Sequence, residues 1–183
     1  MPDYTTPEQF TKAYEAYADA IFRHCFFRVR NREIALDLMQ ETFLKTWQHI
    51  QRASAEIANI RPFLYTVANN LVIDRSRKKR EASLESLLEQ GFNPGVPAEA
   101  EKRDSIAEQE VFKLLDGINP KYREAVLLRY VDEFSPKEIA EILGISENNA
   151  SVRIHYGLKA VRRKYPPQEI SPAENISSPE ISP

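Results

Sequence analysis

The sequence predicts an all-α protein: two small helical domains joined by a flexible acidic linker, the second domain carrying a helix-turn-helix. Three observations predict it. Only 5 glycines occur among 183 residues, and apolar residues recur at helical spacing through two separate blocks. Proline stands at the first position of several of these runs, where a helix tolerates it. Between the blocks, a stretch containing GFNPGVP interrupts the periodicity. The expected boundaries are residues 1–80 for the first domain, 81–105 for the linker, 106–165 for the second domain and 166–183 for a disordered tail.

The first block opens on Thr6-Pro7-Glu8-Gln9, a threonine cap with proline at the first helical position and glutamine three after the cap. Phe10, Tyr14, Tyr17, Ile21, Cys25 and Val29 then share one face. Asn31 is placed to cap a second helix reaching about Arg52, with Leu36, Met39, Phe43, Trp47 and Ile50 as its core stripe. A third helix starts near Pro62, buries Phe63, Leu64, Val67, Ala68 and Leu71, and ends at Arg80. The next 25 residues allow at most one short helical turn. Periodicity returns with Ile106, Val111, Leu114, Leu115 and Ile118; Asn119-Pro120 breaks and restarts the helix, which ends near Val131. Ser135-Pro136-Lys137-Glu138 is a capping box opening a short helix to Leu143, with Ile139, Ala140 and Leu143 inward. Gly144 can end it at positive φ, Ile145 plugs the corner and Ser146 caps the last helix. The chain after residue 165 is rich in proline, serine and glutamate and repeats EISP, a composition that builds no core.

The net charge of −2 hides segregation. Residues 1–80 hold 13 basic and 9 acidic side chains, the linker 2 and 6, residues 106–165 hold 10 and 9, and the tail 0 and 3. Positive charge thus sits in the helical blocks, and local charge decides nucleic-acid affinity. The single cysteine, Cys25, fits a reducing cytosol, and the N-terminus lacks the pattern of a signal peptide. No apolar run approaches the roughly 20 residues of a membrane span. A cytoplasmic protein with no membrane insertion is expected. His24, His49 and His155 are scattered, and no phosphate loop or nucleophile elbow occurs, so neither a metal, a cofactor nor an enzymatic activity is expected.

In the last helix Ala150, Ile154, Leu158 and Val161 form one face. Asn148, Val152, His155 and Lys159 lie opposite, with Ser151, Tyr156, Arg162 and Arg163 beside them. Such a face suits a DNA major groove: asparagine can bond adenine, valine can pack on a thymine methyl, and cations can meet phosphates. A helical hairpin with a solvated polar face is the other reading. Arg153, at the flank of the packed side, suits an ion pair as well as a phosphate. On the second helix Asp37, Leu38, Glu41, Leu44 and Lys45, with Gln40 at the edge, interleave acids with leucines. That pattern reads either as a protein-docking surface or as a helix with a second neighbour burying Leu38 and Leu44. On the third helix Thr66, Asn69, Asn70, Ile73 and Arg77 share a face, and Arg75 to Arg80 is basic at five of six positions. That end could grip single-stranded DNA, or simply complement the helix dipole. Asp74 reads as a structural ion-pair partner.

At this point the residues resemble a known family. ALDLMQETFLKTW with RPFLYTVANNLVIDRSRKKR resembles domain two of the sigma-70 family, in its extracytoplasmic-function (ECF) group. LDGINPKYREAVLLRYVDEFSPKEIAEILGISENNASVRIHYGLKAVRRK resembles its domain four. The resemblance covers about Glu8 to Lys164. It implies a sigma factor that binds RNA polymerase core and directs promoter-specific initiation. Asp37, Leu38, Gln40 and Glu41 would dock on the polymerase. Phe63, Asn69, Asn70, Arg75 and Arg77, with the segment from about Gln51 to Arg61, would read and open the minus-10 element, capturing an unpaired base. Asn148, Asn149, Ser151, Val152, His155, Tyr156 and Lys159 would read the minus-35 element. An anti-sigma factor is a further partner class the family implies, although no residue identifies one.

The chain departs from the family where Asn148-Asn149-Ala150 replaces a frequent Gly-Thr-Val, where Tyr156 replaces a frequent basic residue, and where Val152 takes an often polar place. These bear on the promoter sequence, not the fold. The alternative is a stand-alone helix-turn-helix regulator, which would need a dimer surface or a ligand or receiver domain; no receiver-like βα pattern precedes Leu114. A third reading is an antagonist that has kept the fold and lost promoter use, against which the basic run at Arg75 to Arg80 argues.

Overall fold

The computed structural model describes residues 4–53, 57–90 and 106–164. The expected tail and most of the expected linker lie outside the described residues. Among those described there are seven α-helices and no strand: α1 (Pro7–Val29), α2 (Arg32–Ala53), α3 (Ile60–Gln90), α4 (Ile106–Leu115), α5 (Pro120–Tyr130), α6 (Pro136–Leu143) and α7 (Glu147–Lys164). Helices α1–α3 pack mutually as an N-terminal unit; α5–α7 pack together with α4 against α7 as a C-terminal unit.

The helix starts follow from the capping side chains. Thr6 Oγ1 accepts from the Gln9 N–H at 3.3 Å, and Asn31 Oδ1 from the Ile34 N–H at 2.9 Å. Asn119 Oδ1 accepts from the Lys121 N–H at 3.2 Å, and Ser146 Oγ from the Asn149 N–H at 3.2 Å. Ser135 and Glu138 close the capping box reciprocally, and the Ser135 N–H and hydroxyl hold the Glu138 carboxyl below its usual range. Gly144 ends α6 at φ 62°, as expected of the corner.

Two expectations are corrected. Helix α3 does not end at Arg80 but runs ten residues further, to Gln90. The continuation EASLESLLEQ is made of good helix formers and holds no glycine or proline, so nothing stops the helix before Gly91. On α2, Leu36 and Leu38 exchange roles: Leu38 is 4% exposed and Leu36 44%. The true buried stripe is Ala35, Leu38, Met39, Thr42, Phe43, Thr46 and Ile50. It includes two threonines whose hydroxyls donate to the carbonyls of Leu38 (2.7 Å) and Thr42 (2.8 Å), so neither carries an unmet hydrogen bond inward. Counting only apolar residues rotates the face and misplaces Leu36.

The two units share one core. Phe112, Leu128, Phe134, Ile139, Ala140, Ile142 and Ala150 join the cluster built on Ile21, Phe26, Leu64, Tyr65 and Leu71, while Leu115, Ile118, Val126 and Leu127 make a smaller one. Within the C-terminal unit, α7 touches α5 at Gly157, where a Cβ would stand 2.5 Å from Val126 Cγ2 and 2.9 Å from the Tyr122 carbonyl oxygen. Only glycine permits that approach.

At the junction, polar groups are buried as well. Asp132 and Phe134, on the turn between α5 and α6, face α1 and α3; Glu133 between them takes φ 60° and stays exposed. His24 Nδ1 meets Asp132 Oδ2 at 3.1 Å, and Arg28 Nη2 donates to Glu124 Oε1 at 2.6 Å and to Asp132 Oδ2 at 3.3 Å. Burial, reinforced by the Arg28 charge, lowers the His24 pKa, so the ring is neutral and its Nδ1–H donates to Asp132. Burial alone would raise Asp132, but His24 and Arg28 hold its carboxyl below the usual range.

A lowered imidazole pKa contributes stability above the ordinary value of about 6.5, lost as pH falls through His24's depressed value. Asp132 adds a loss only at lower pH, below the ordinary carboxylate value of about 3.9. The stability of the wild type against thermal unfolding is therefore expected to fall as the pH drops below about 6.5, with a slope of at most about 1.4 kcal/mol per pH unit from this group. His24→Gln, which can still donate to Asp132, should flatten that window; equal slopes in both proteins would show that His24 is not buried neutral.

Candidate functional site

Three exposed faces carry the sequence-predicted residues. On α2, Asp37, Gln40 and Glu41 are exposed, and Glu41 pairs with Lys45 at 3.0 Å. Leu44, 56% exposed, and Leu36 stand beside them, four residues to either side of Gln40. The acids and leucines thus do form one solvent-facing patch, with Leu36 in the place expected of Leu38. Leu38 turns inward because α2 packs on both α1 and α3 and needs a broad buried stripe. The neighbouring groove, between the start of α1 and the second half of α2, is lined by Pro7, Phe10, Phe43, Leu44 and Trp47.

On α3, Asn70, Ile73 and Arg77 form an exposed stripe continuing from half-buried Thr66. Phe63 is half-buried against the His49 ring at 5.0 Å between centroids. Arg75 is exposed and borders a cleft with Ser76, Lys78, Lys79 and Arg28. Arg77 lies 3.3 Å from Asp74 and 3.9 Å from Glu81, surface pairs in which Asp74 is exposed and not on a packed face. Asn69 departs from expectation: it is 4% exposed, on the side of α3 that also buries Tyr65 and Val72. Residues 54–56 of the segment before α3 lie outside the described residues.

On α7, Asn148, Asn149, Ser151, Val152, His155, Tyr156 and Lys159 are all exposed, opposite buried Ala150 and Gly157. Asn149 Oδ1 accepts from Arg153 Nε at 3.0 Å, which occupies its acceptor and gives Arg153 a neutral partner instead of an ion pair. Tyr156 stacks on Tyr122 at 5.8 Å and meets the His155 ring edge-on at 5.6 Å. Asn148, Val152, His155 and Lys159 are left as one forward-facing row. Glu147 stands in the first turn and three cations in the last.

Sequence reasoning missed the junction groups His24, Arg28, Arg61, Glu124 and Asp132. One signal was there: His24 and Arg28, four apart, interrupt an apolar stretch of α1 that buries Ile21, Cys25 and Phe26. Among the described residues no group of three His, Cys, Asp or Glu side chains could hold a metal ion, and no helix is long and apolar enough to cross a membrane.

Known proteins share this pattern along the chain. The sigma-70 region 2 family model matches residues 13–82, and the sigma-70 region 4 model matches residues 108–161. The ECF RNA polymerase sigma factor SigW of Bacillus subtilis (strain 168) is 30% identical over 171 residues, covering 86% of this chain and 89% of that one. SigM of the same organism is 32% identical over 142 residues, 74% of this chain and 82% of that one. Among solved structures, the sigma factor RpoE in complex with the anti-sigma factor NepR from Bartonella quintana superposes with a TM-score of 0.69 at 22% identity, over 85% of this chain and 96% of that one. CnrH in complex with the cytosolic domain of CnrY gives 0.65 at 19%, over 87% and 88%. With both regions present in order and the relatives covered along most of their length, the chain belongs to the ECF group of the sigma-70 family and is a promoter-recognising transcription initiation factor.

Proposed function

We propose that the chain engages its two macromolecular partners through the separate faces described above. The exposed α2 patch of Leu36, Asp37, Gln40, Glu41 and Leu44 docks on RNA polymerase core. Phe63, Asn70, Arg75 and Arg77 of α3 contact the opened minus-10 element. Asn148, Ser151, Val152, His155 and Lys159 of α7 enter the major groove of the minus-35 element, with Asn149 and Tyr156 flanking them. Leu38 and Asn69 support these faces from beneath. The observation that carries the reading is that acids and large aliphatics alternate on an exposed face of α2 while polar and cationic groups fill the exposed face of α7. The first suits a protein, the second a polyanion. The chain itself supplies no chemistry; bond formation belongs to the polymerase, and the work takes place where the polymerase is, in the cytoplasm. One solved structure of similar fold is a sigma factor in complex with an anti-sigma factor, which supports a protein antagonist as a third partner class.

Transcription in vitro by bacterial core polymerase on a library of random promoters tests the reading as a whole. Transcripts that require the protein and share two spaced upstream elements are expected. Their absence, with no binding to core, would leave the α2 patch without its partner.

Each face has its own signature. Asp37→Ala with Glu41→Ala should weaken core binding about ten-fold or more with the melting temperature unchanged, since surface charges contribute little to the fold. Leu44→Ala should act in the same direction. Leu38→Ala should instead destabilise the protein by about 2–5 kcal/mol, as a buried leucine does. If the acidic pair can be removed with no change in core affinity, docking lies elsewhere.

Lys159→Ala should weaken promoter binding by the holoenzyme and reduce the slope of log affinity against log salt by about one. An unchanged slope would place Lys159 off the DNA.

A further inference from the structure

Helix α7 exposes two large apolar side chains in the middle of a polar face. Val152 is 42% exposed and Tyr156 49%. They stand four residues apart, so they are neighbours on one side of the helix. Around them lie Asn148, His155 and Lys159, and Arg162 and Arg163 follow in the last turn, all exposed. An apolar spot enclosed by polar and cationic groups does not suit an apolar protein surface, which would have to strip those charges of water. It suits the apolar group that a polyanionic duplex displays in its major groove, the C5 methyl of thymine.

The spot is supported from beneath. The Tyr156 ring stacks on that of Tyr122, in the first turn of α5, at 5.8 Å between centroids and 27° between planes, and it meets the edge of His155 on another side. The residue after Tyr156 makes the stack possible. With no Cβ at Gly157, α7 rests directly on the Tyr122 carbonyl and the Val126 side chain, close enough for the two tyrosines to meet. Tyr122 is itself half-buried, and Lys121 Nζ lies 5.1 Å from its ring centroid. A tyrosine has only two side-chain torsions, so one stacking contact with a ring anchored on another helix is enough to orient it.

We infer that Val152 and Tyr156 are specificity-determining residues that pack on a thymine methyl of the minus-35 element, and that Tyr122 is the positioning residue that holds Tyr156 in place for it. The inference rests on α7 reading that element, and it names the base favoured there. An isopropyl group and a phenol offer no cationic fork for a guanine edge, so their preference falls on the base that carries a methyl. Tyr122 acts only through Tyr156 and does not itself touch DNA.

The test uses the full chain assembled with core polymerase, on a promoter selected from the random library. Each thymine of the upstream element, on either strand, is replaced singly by deoxyuridine, which removes the methyl and leaves base pairing intact. At one or more positions the wild-type affinity should fall about four-fold, the effect of losing one buried methyl-sized group. Val152→Ser and Tyr156→Arg should each narrow that difference. Tyr122→Leu should narrow it as well, whereas Tyr122→Phe, which keeps the stacking ring, should preserve it. Circular dichroism reads whether each variant keeps its helices; if Tyr122→Leu does not, Tyr122→Met decides in its place. An element that tolerates deoxyuridine at every thymine, or that contains none, would overturn the thymine assignment and leave α7 as the minus-35 reader. Methyl discrimination that survives in both Val152→Ser and Tyr156→Arg would do the same. Discrimination unchanged in a folded variant lacking the Tyr122 ring would overturn the positioning role. Transcripts that share no upstream element would remove the minus-35 reading itself, and the inference with it.

Discussion

A carboxylate buried between two helical units is the constraint from which much of the structure follows. Asp132 sits where water does not reach, and an unpaired charge there would cost several kcal/mol. It stays ionised only because α1 presents a guanidinium and an imidazole one turn apart, Arg28 and His24, on the face that meets it. That requirement puts polar residues into a helix face otherwise filled by Ile21, Cys25 and Phe26. It also fixes the turn that carries Asp132. With the exposed Glu133 in a left-handed conformation, the residues on both sides of it face the partner unit, and the chain resumes at once in the capping box of α6. Phe134 is therefore delivered to Tyr65 and Arg61 by the same geometry that delivers Asp132 to Arg28.

The two kinds of contact at the seam do different work. Burying a ring such as Phe134 is worth about 1.5–3 kcal/mol, and it depends little on orientation. The ion network contributes little net attraction, since desolvation offsets most of the Coulomb gain. What it adds is intolerance of misplacement: Arg28 must meet Glu124 and Asp132 together. A seam that is adhesive through its aromatics and selective through its charges holds the two units in one arrangement.

Much of this was legible in the sequence, and the failures share a cause. Helix starts could be read because a cap is a local event: Thr6, Asn31, Asn119, Ser135 and Ser146 each bond a backbone N–H within three residues. The α7 face was legible because one side of that helix packs and the other does not. Leu36 and Leu38 were misread because Thr42 and Thr46 hide their polarity in bonds to their own helix. Tyr65, Phe112 and Asp132 were beyond periodicity altogether. They are buried by the other unit, across separations of sequence that no single-helix pattern records. The length of α3 was misjudged for a different reason, that an acidic composition was taken as a linker although its residues are helix formers.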